Sequence, residues 1–187
     1  DKPGVVKFFT KRKSIQVEAE HLGHLTLSIL KGENGNQAKS FGRAFNWIKD
    51  EAKPEIINFS NLLIASLAPT IKRELNIPIV VTLQGDDLFI NELNNDHRNE
   101  VIRELKRIAE SVDAFITFSE FYAQKMSKLL GIPIEKFHIV TLGINTEPFS
   151  DILRQKNEHQ TIGYFGRIAP EKGFHNAVDA FIQINKD

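Results

Sequence analysis

Four short β-forming runs, separated by longer amphipathic stretches, leave this chain few ways to fold. Residues 55–59, 78–83, 113–118 and 136–142 read as strands. The second of them, Pro78-Ile-Val-Val-Thr-Leu83, is nearly all apolar, as a strand covered on both faces should be. Helical patterns fill residues 62–76 and 96–111, and a third is capped by Ser119 and runs to Leu130. Such a regular βαβα alternation specifies an α/β fold: a doubly wound, Rossmann-like parallel sheet with right-handed crossovers. Ligands of such sheets collect at the carboxyl ends of the strands.

The first fifty residues are less regular. Residues 4–9 read as a short extended segment. Ser14 is placed to cap a helix with Ile15, Ala19, Leu22, Leu25, Ile29 and Leu30 as its apolar positions. His21 and His24 lie three apart on it, a spacing that suits a metal or a solvated face, and no third ligand completes a motif. A turn cluster at 32–36 precedes a second helix with Phe41, Ala44, Phe45 and Ile48 on one face and Trp47 nearby. That helix is expected to stop before Pro54.

Composition narrows the class further. The 24 basic and 24 acidic residues give a formal net charge of zero, so no global attraction to nucleic acid is expected. With 41% hydrophobic residues the chain can bury one sizeable core. The absence of cysteine excludes disulfides and Cys-ligated zinc, and fits a reducing, cytoplasmic setting. No apolar run has the length of a membrane span, which leaves peripheral membrane association open. Met126 is the only methionine, and the chain opens at Asp1 and stops at Asp187 within a helical pattern. The expectation is a piece of a longer protein.

The residues richest in chemistry come late. Thr161-Ile-Gly-Tyr-Phe165 alternates like a strand, and Gly166 breaks it. Pro170 fits a helix start, and Phe174, Ala177, Val178, Phe181 and Ile182 repeat at helical spacing. Arg167 and Lys172 fall between strand and helix, where a helix N-terminus already favours an anion. Arg supplies a planar fork and Lys a mobile point charge, a combination suited to a diphosphate. The plainer alternative is a surface turn with two solvated cations.

Gly166-Arg167-Ile168-Ala169-Pro170-Glu171-Lys172-Gly173 and the helix after it resemble the donor-phosphate motif of GT-B glycosyltransferases, specifically the retaining family 4, glycosyl transferase group 1. The resemblance implies that Gly166, Arg167, Lys172 and Gly173 bind the diphosphate of a nucleotide sugar. Arg167 and Lys172 would carry the catalytic stabilisation. After the strand at 78–83, Gln84-Gly85-Asp86-Asp87 is similar to the family's T-x-H-G-x-D, with Gln84 where His is usual. A Gln can orient a hydroxyl but cannot take a proton. Asp86-Asp87 also reads as a helix-capping turn, or as an acidic metal motif of the GT-A kind. Ser119 follows its strand much as a family Ser does, and capping explains it equally well. Gly143-Ile-Asn145-Thr-Glu-Pro-Phe149 resembles G-[IV]-D-x-x-x-F, with Asn145 in place of Asp.

The resemblance, which runs from about residue 53 onward, implies a retaining transferase. It would move a sugar from a nucleotide diphosphate sugar to an acceptor hydroxyl, with no cofactor and no metal. Gln84, Gly85 and Asp86 would line the acceptor side, and Gly143 and Asn145 the cleft. The implied organisation is an acceptor-side domain over 1–150, a linker over 151–160, and the start of a nucleotide-sugar-binding domain over 161–187. This stretch of chain alone is expected to be inactive, and residues 161–186 to dock on the first domain or to pair with a second copy. Two rivals stand beside this: a nucleotide-sugar 2-epimerase of the same architecture, and a non-catalytic GT-B-like binding module.

Overall fold

The computed structural model describes residues 19–149 and 161–184. The expected extended segment at 4–9, the Ser14 cap and the linker at 151–160 lie outside the described residues. The chain divides into two compact units, residues 1–143 and 144–187.

The described residues of the first unit begin with α1 (Ala19–Leu30) and α2 (Ala38–Trp47), the latter continued by a π-helical turn, Ile48–Ala52. Strand β1 (Ile57–Phe59) leads through a 3-10 turn at Leu62–Ile64 into α3 (Ala68–Leu75). Strand β2 (Ile79–Thr82) precedes α4 (Asp86–Glu92) and α5 (Asn95–Glu110). Strand β3 (Ala114–Thr117) precedes α6 (Glu120–Leu130), and β4 (Phe137–Ile139) follows. The four strands form one parallel sheet in the order β1-β2-β3-β4, with helices on both sides.

Pairing places Val81 opposite Phe115, and Phe115 opposite Phe137. This is the buried face, and the Phe115 and Phe137 rings stack with centroids 5.1 Å apart. Ile71 of α3, Leu105 and Ile108 of α5, and Met126 of α6 share its core and are fully buried. The opposite face carries Asn58, Val80, Thr82, Ala114, Ile116 and His138, all half-buried or exposed. Strand β2 therefore alternates, where its composition suggested complete burial on both faces.

Helix α1 also departs from its sequence pattern. Leu27 and Leu30 are buried, whereas Leu25 is half exposed. Its inner face is set by close approach to α5: a Cβ on Gly23 would stand 2.4 Å from Cγ of His97. At its other end, Arg107 donates to the Leu30 carbonyl at 3.1 Å, supplying a cation to the helix C-terminus. Helix α2 turns Phe41, Phe45 and Ile48 toward the core as expected, and leaves Ala44 and Trp47 exposed.

The amino ends of the strands are tied by Asp113. It accepts from the Ile79 N–H at 2.8 Å and from Lys72 Nζ of α3 at 2.7 and 2.9 Å.

In the second unit, residues 161–165 carry no ladder among the described residues. The sequence has strand character there, but a strand is made by its neighbour's hydrogen bonds. Helix α7 (Phe174–Ile184) forms as its periodicity requires, with the Tyr164 ring against Phe174 at 4.8 Å. Val178, Phe181 and Ile182 on α7 are each partly exposed.

Phe115→Ala should cost about 3–5 kcal/mol, since a fully buried ring leaves a cavity behind. Phe121→Ala, at a ring 76% exposed, should change stability by no more than about 0.5 kcal/mol. Urea unfolding of both variants checks the pair, and equal losses would contradict the assignment of the core face.

Candidate functional site

The carboxyl ends of β1, β2 and β3 are joined by a network that starts from one sharp turn. Gly85 sits at φ 90°, a conformation that side-chain-bearing residues rarely adopt, and ends the run from β2 before α4 begins. Asp86 is then almost fully buried, with 1% exposure. Its Oδ1 accepts from the Leu62 N–H at 2.9 Å, and its Oδ2 from the Gln84 N–H at 3.1 Å. One carboxylate thus binds the loop after β1 to the loop after β2. Burial pushes its pKa up, and the two backbone donors offset part of that.

Asp87 is buried beside it, but its side chain faces α6. It pairs with Lys125, and the Tyr122 phenol lies near enough to act on its titration. Burial alone would raise its pKa, yet these two groups outweigh it and hold the carboxyl below the usual range. The same phenol oxygen accepts from the Gly85 N–H at 2.9 Å. Burial, the Asp86 charge and the neighbouring Asp87 all raise the phenol's pKa well above that of a free tyrosine. Ser119 caps α6 through its Oγ, which accepts from the Tyr122 N–H at 3.3 Å and so fixes where Tyr122 enters the helix.

Gln84 is exposed at the tip of the turn, and its Nε2 donates to the Ser60 carbonyl at 2.8 Å. The structure therefore brings Gln84, Gly85 and Asp86 together, but in different roles. Gln84 is the exposed member, Gly85 is half-buried, and Asp86 lies behind the turn as its anchor. Both Asp carboxylates are engaged by donors of the chain itself. Among the described residues, no group of three His, Asp or Glu side chains is placed to hold a metal ion.

Gly143 is exposed at the end of the first unit. Asn145, in the second, accepts the Glu147 N–H at 3.0 Å through its side-chain oxygen, and a 3-10 turn, Glu147–Phe149, follows. The remaining candidates fall in one turn. Tyr164 donates to the Arg167 carbonyl at 3.0 Å, and a Cβ on Gly166 would come within 3.3 Å of that phenol. Pro170 opens a 3-10 turn, Pro170–Lys172, and Gly173 at φ 69° reverses the backbone before α7. Arg167 and Lys172 are both exposed on this turn.

A separate pocket of about 480 Å³ is lined by His24, Lys31, Asp96, His97 and Glu100, among others. It includes no residue of the 84–87 turn. The His24 and His97 rings meet edge to face there at 4.5 Å.

In comparison with known proteins, residues 6–148 match the model of Glycosyltransferase Family 4. The chain belongs to glycosyltransferase family 4. Neither a curated protein nor a solved structure matches it. The match contains the whole strand-end network and stops before the Arg167–Lys172 turn. No helix among the described residues is long and apolar enough to cross a membrane.

Tyr122 and Lys125 were invisible to sequence reading, because their partners lie 37 and 38 residues away. Asp87 did leave a signal, since in T-x-H-G-x-D the final Asp aligns with Asp87 and not with Asp86.

The pH dependence of stability follows from these partners. Asp87 and Asp113 both titrate below the unfolded-state value, Asp113 because Lys72 and the Ile79 N–H outweigh its partial burial. Their contribution is complete above the unfolded Asp value of about 3.9 and is lost as pH falls through the lower folded values. Asp86 has the opposite sign, so its ionisation costs stability as pH rises past that same value. Asp87→Asn should therefore flatten the acid limb of stability against pH below about pH 4. Urea midpoints from pH 2 upward measure it, and an acid limb as steep as wild type would contradict the pairing.

Proposed function

We propose that the whole protein is a retaining transferase that moves a sugar from a nucleotide diphosphate sugar to an acceptor hydroxyl. The observation that carries this reading is the family 4 match over residues 6–148. Supporting it, Arg167 and Lys172 sit on an exposed turn directly ahead of α7. Two fixed cations near a helix N-terminus suit the charge that develops on a departing diphosphate. Gln84 would meet the acceptor, with Gly85 shaping the turn and Asp86 anchoring it. Gly143 and Asn145 would border the cleft through backbone placement. The catalytic work in this reading is positioning and charge stabilisation, with the nucleotide sugar as substrate and no cofactor.

In the intact protein, Arg167→Ala and Lys172→Ala should each lower kcat/KM by about 10²–10³-fold, the usual effect of removing one preorganised transition-state contact. Wild-type values for both would remove the diphosphate assignment. Product analysis by mass spectrometry separates transfer from 2-epimerisation, because only transfer joins the sugar to an acceptor.

Gln84→His should leave turnover within about tenfold of wild type, since an imidazole N–H can also reach the Ser60 carbonyl. A folded Gln84→His protein with no turnover would show that the 84–87 turn is aligned wrongly with the family pattern.

A further inference from the structure

We propose that Tyr122 is the positioning residue of the Gln84–Gly85 turn, and that its phenol fixes which groups of that turn meet an acceptor hydroxyl. The inference rests on the acceptor-side reading of Gln84. Its starting point is the direction of each hydrogen bond. The Gly85 N–H donates to the Tyr122 phenol oxygen at 2.9 Å, so it is turned into the protein and not toward a ligand. The phenol stands beside Asp87, which pairs with Lys125, and the two groups shift each other's titration. Tyr122 thus accepts from the strand-end turn and faces the helix that follows it.

Gln84 completes the arrangement. The Ser60 carbonyl can only accept, so the amide nitrogen must face it, and Oε1 is turned the other way. Gln84 is exposed, so the turn offers its surroundings a hydrogen-bond acceptor. A sugar or alcohol O–H is the complementary donor. Removing the Tyr122 oxygen frees the Gly85 N–H and lets the turn rotate about its glycine. The amide would then meet the hydroxyl in mixed orientations.

The test uses the full chain, isotope-labelled, with methyl β-D-glucopyranoside as the hydroxyl probe and its fully O-methylated ether as the control. NMR follows the Gln84 side-chain amide and the hydrogen exchange of the Gly85 N–H. The glucoside should shift the Gln84 amide of the wild type saturably, and the ether should not. In Tyr122→Phe the Gly85 amide should exchange about tenfold faster or more, with Val81 and Phe115 unchanged. Glucoside affinity should fall about fivefold or more in the same variant. Asp87→Asn keeps an oxygen beside the phenol and should retain affinity, whereas Asp87→Ala should lose it, and this pair serves if Tyr122→Phe fails to fold. Equal glucoside affinity in wild type and Tyr122→Phe overturns the proposal even if the variant is less heat-stable. A wild type whose Gln84 ignores the glucoside counts against the acceptor-side reading. Exchange at Gly85 then decides the clamp by itself, and unchanged exchange in Tyr122→Phe overturns it.

Discussion

The buried carboxylate of Asp86 holds the carboxyl-end loops of the first unit together. Its two oxygens accept backbone N–H groups from Leu62 and Gln84, so the loops after β1 and β2 cannot move apart without orphaning the Leu62 donor. An unpaired buried N–H costs about 1–3 kcal/mol, so separation of these loops is strongly opposed. The arrangement has its own cost, visible in the raised pKa: the charge sits where water cannot reach it. Two N–H dipoles aimed at the carboxylate make that burial tolerable. Tyr122 extends the same device to β3, and Asp113 repeats it at the amino ends with Ile79 and Lys72. A sheet of short strands is thus pinned at both ends by side chains acting on backbone.

The order of elements was legible because it follows from local periodicity. The runs at 78–83 and 113–118 became β2 and β3, and the cap at Ser119 formed where it was read. What failed was whatever depends on a neighbour. Leu25 fits a helical stripe by spacing, yet the stripe that is buried holds Leu27 and Leu30, because α1 approaches α5 through Gly23 and His97. Residues 161–165 have strand residues but no ladder among the described residues. Val80 and Thr82 look like core positions, and only pairing reveals that they share the less covered face with Asn58 and His138.

The candidate site divides along the same line. Which loops stand at the strand ends was readable, since glycines mark them. Which atom of each residue does what was not. Asp86 and Asp87 are neighbours of the same type with opposite pKa shifts, because one receives neutral backbone donors and the other a cation and a phenol. Nothing local in the sequence tells which partners each receives, since the deciding ones are 24 and 38 residues distant.

The two departures from the family pattern make sense in these terms. At position 145 the side chain accepts one backbone N–H, from Glu147. A neutral amide oxygen serves as well as a carboxylate for that single bond, so Asn145 keeps the local geometry without the charge. At position 84 the side chain donates to the Ser60 carbonyl. An amide nitrogen does so at any pH, whereas an imidazole would offer its protons according to its charge and tautomer. Neither side chain titrates, and each makes one hydrogen bond to the backbone. The charges that remain in the 84–87 turn, Asp86 and Asp87, are the buried ones. The turn therefore presents an uncharged amide at its tip, with its ionisable groups held behind it, so what it offers its surroundings is a hydrogen-bond direction and not a charge.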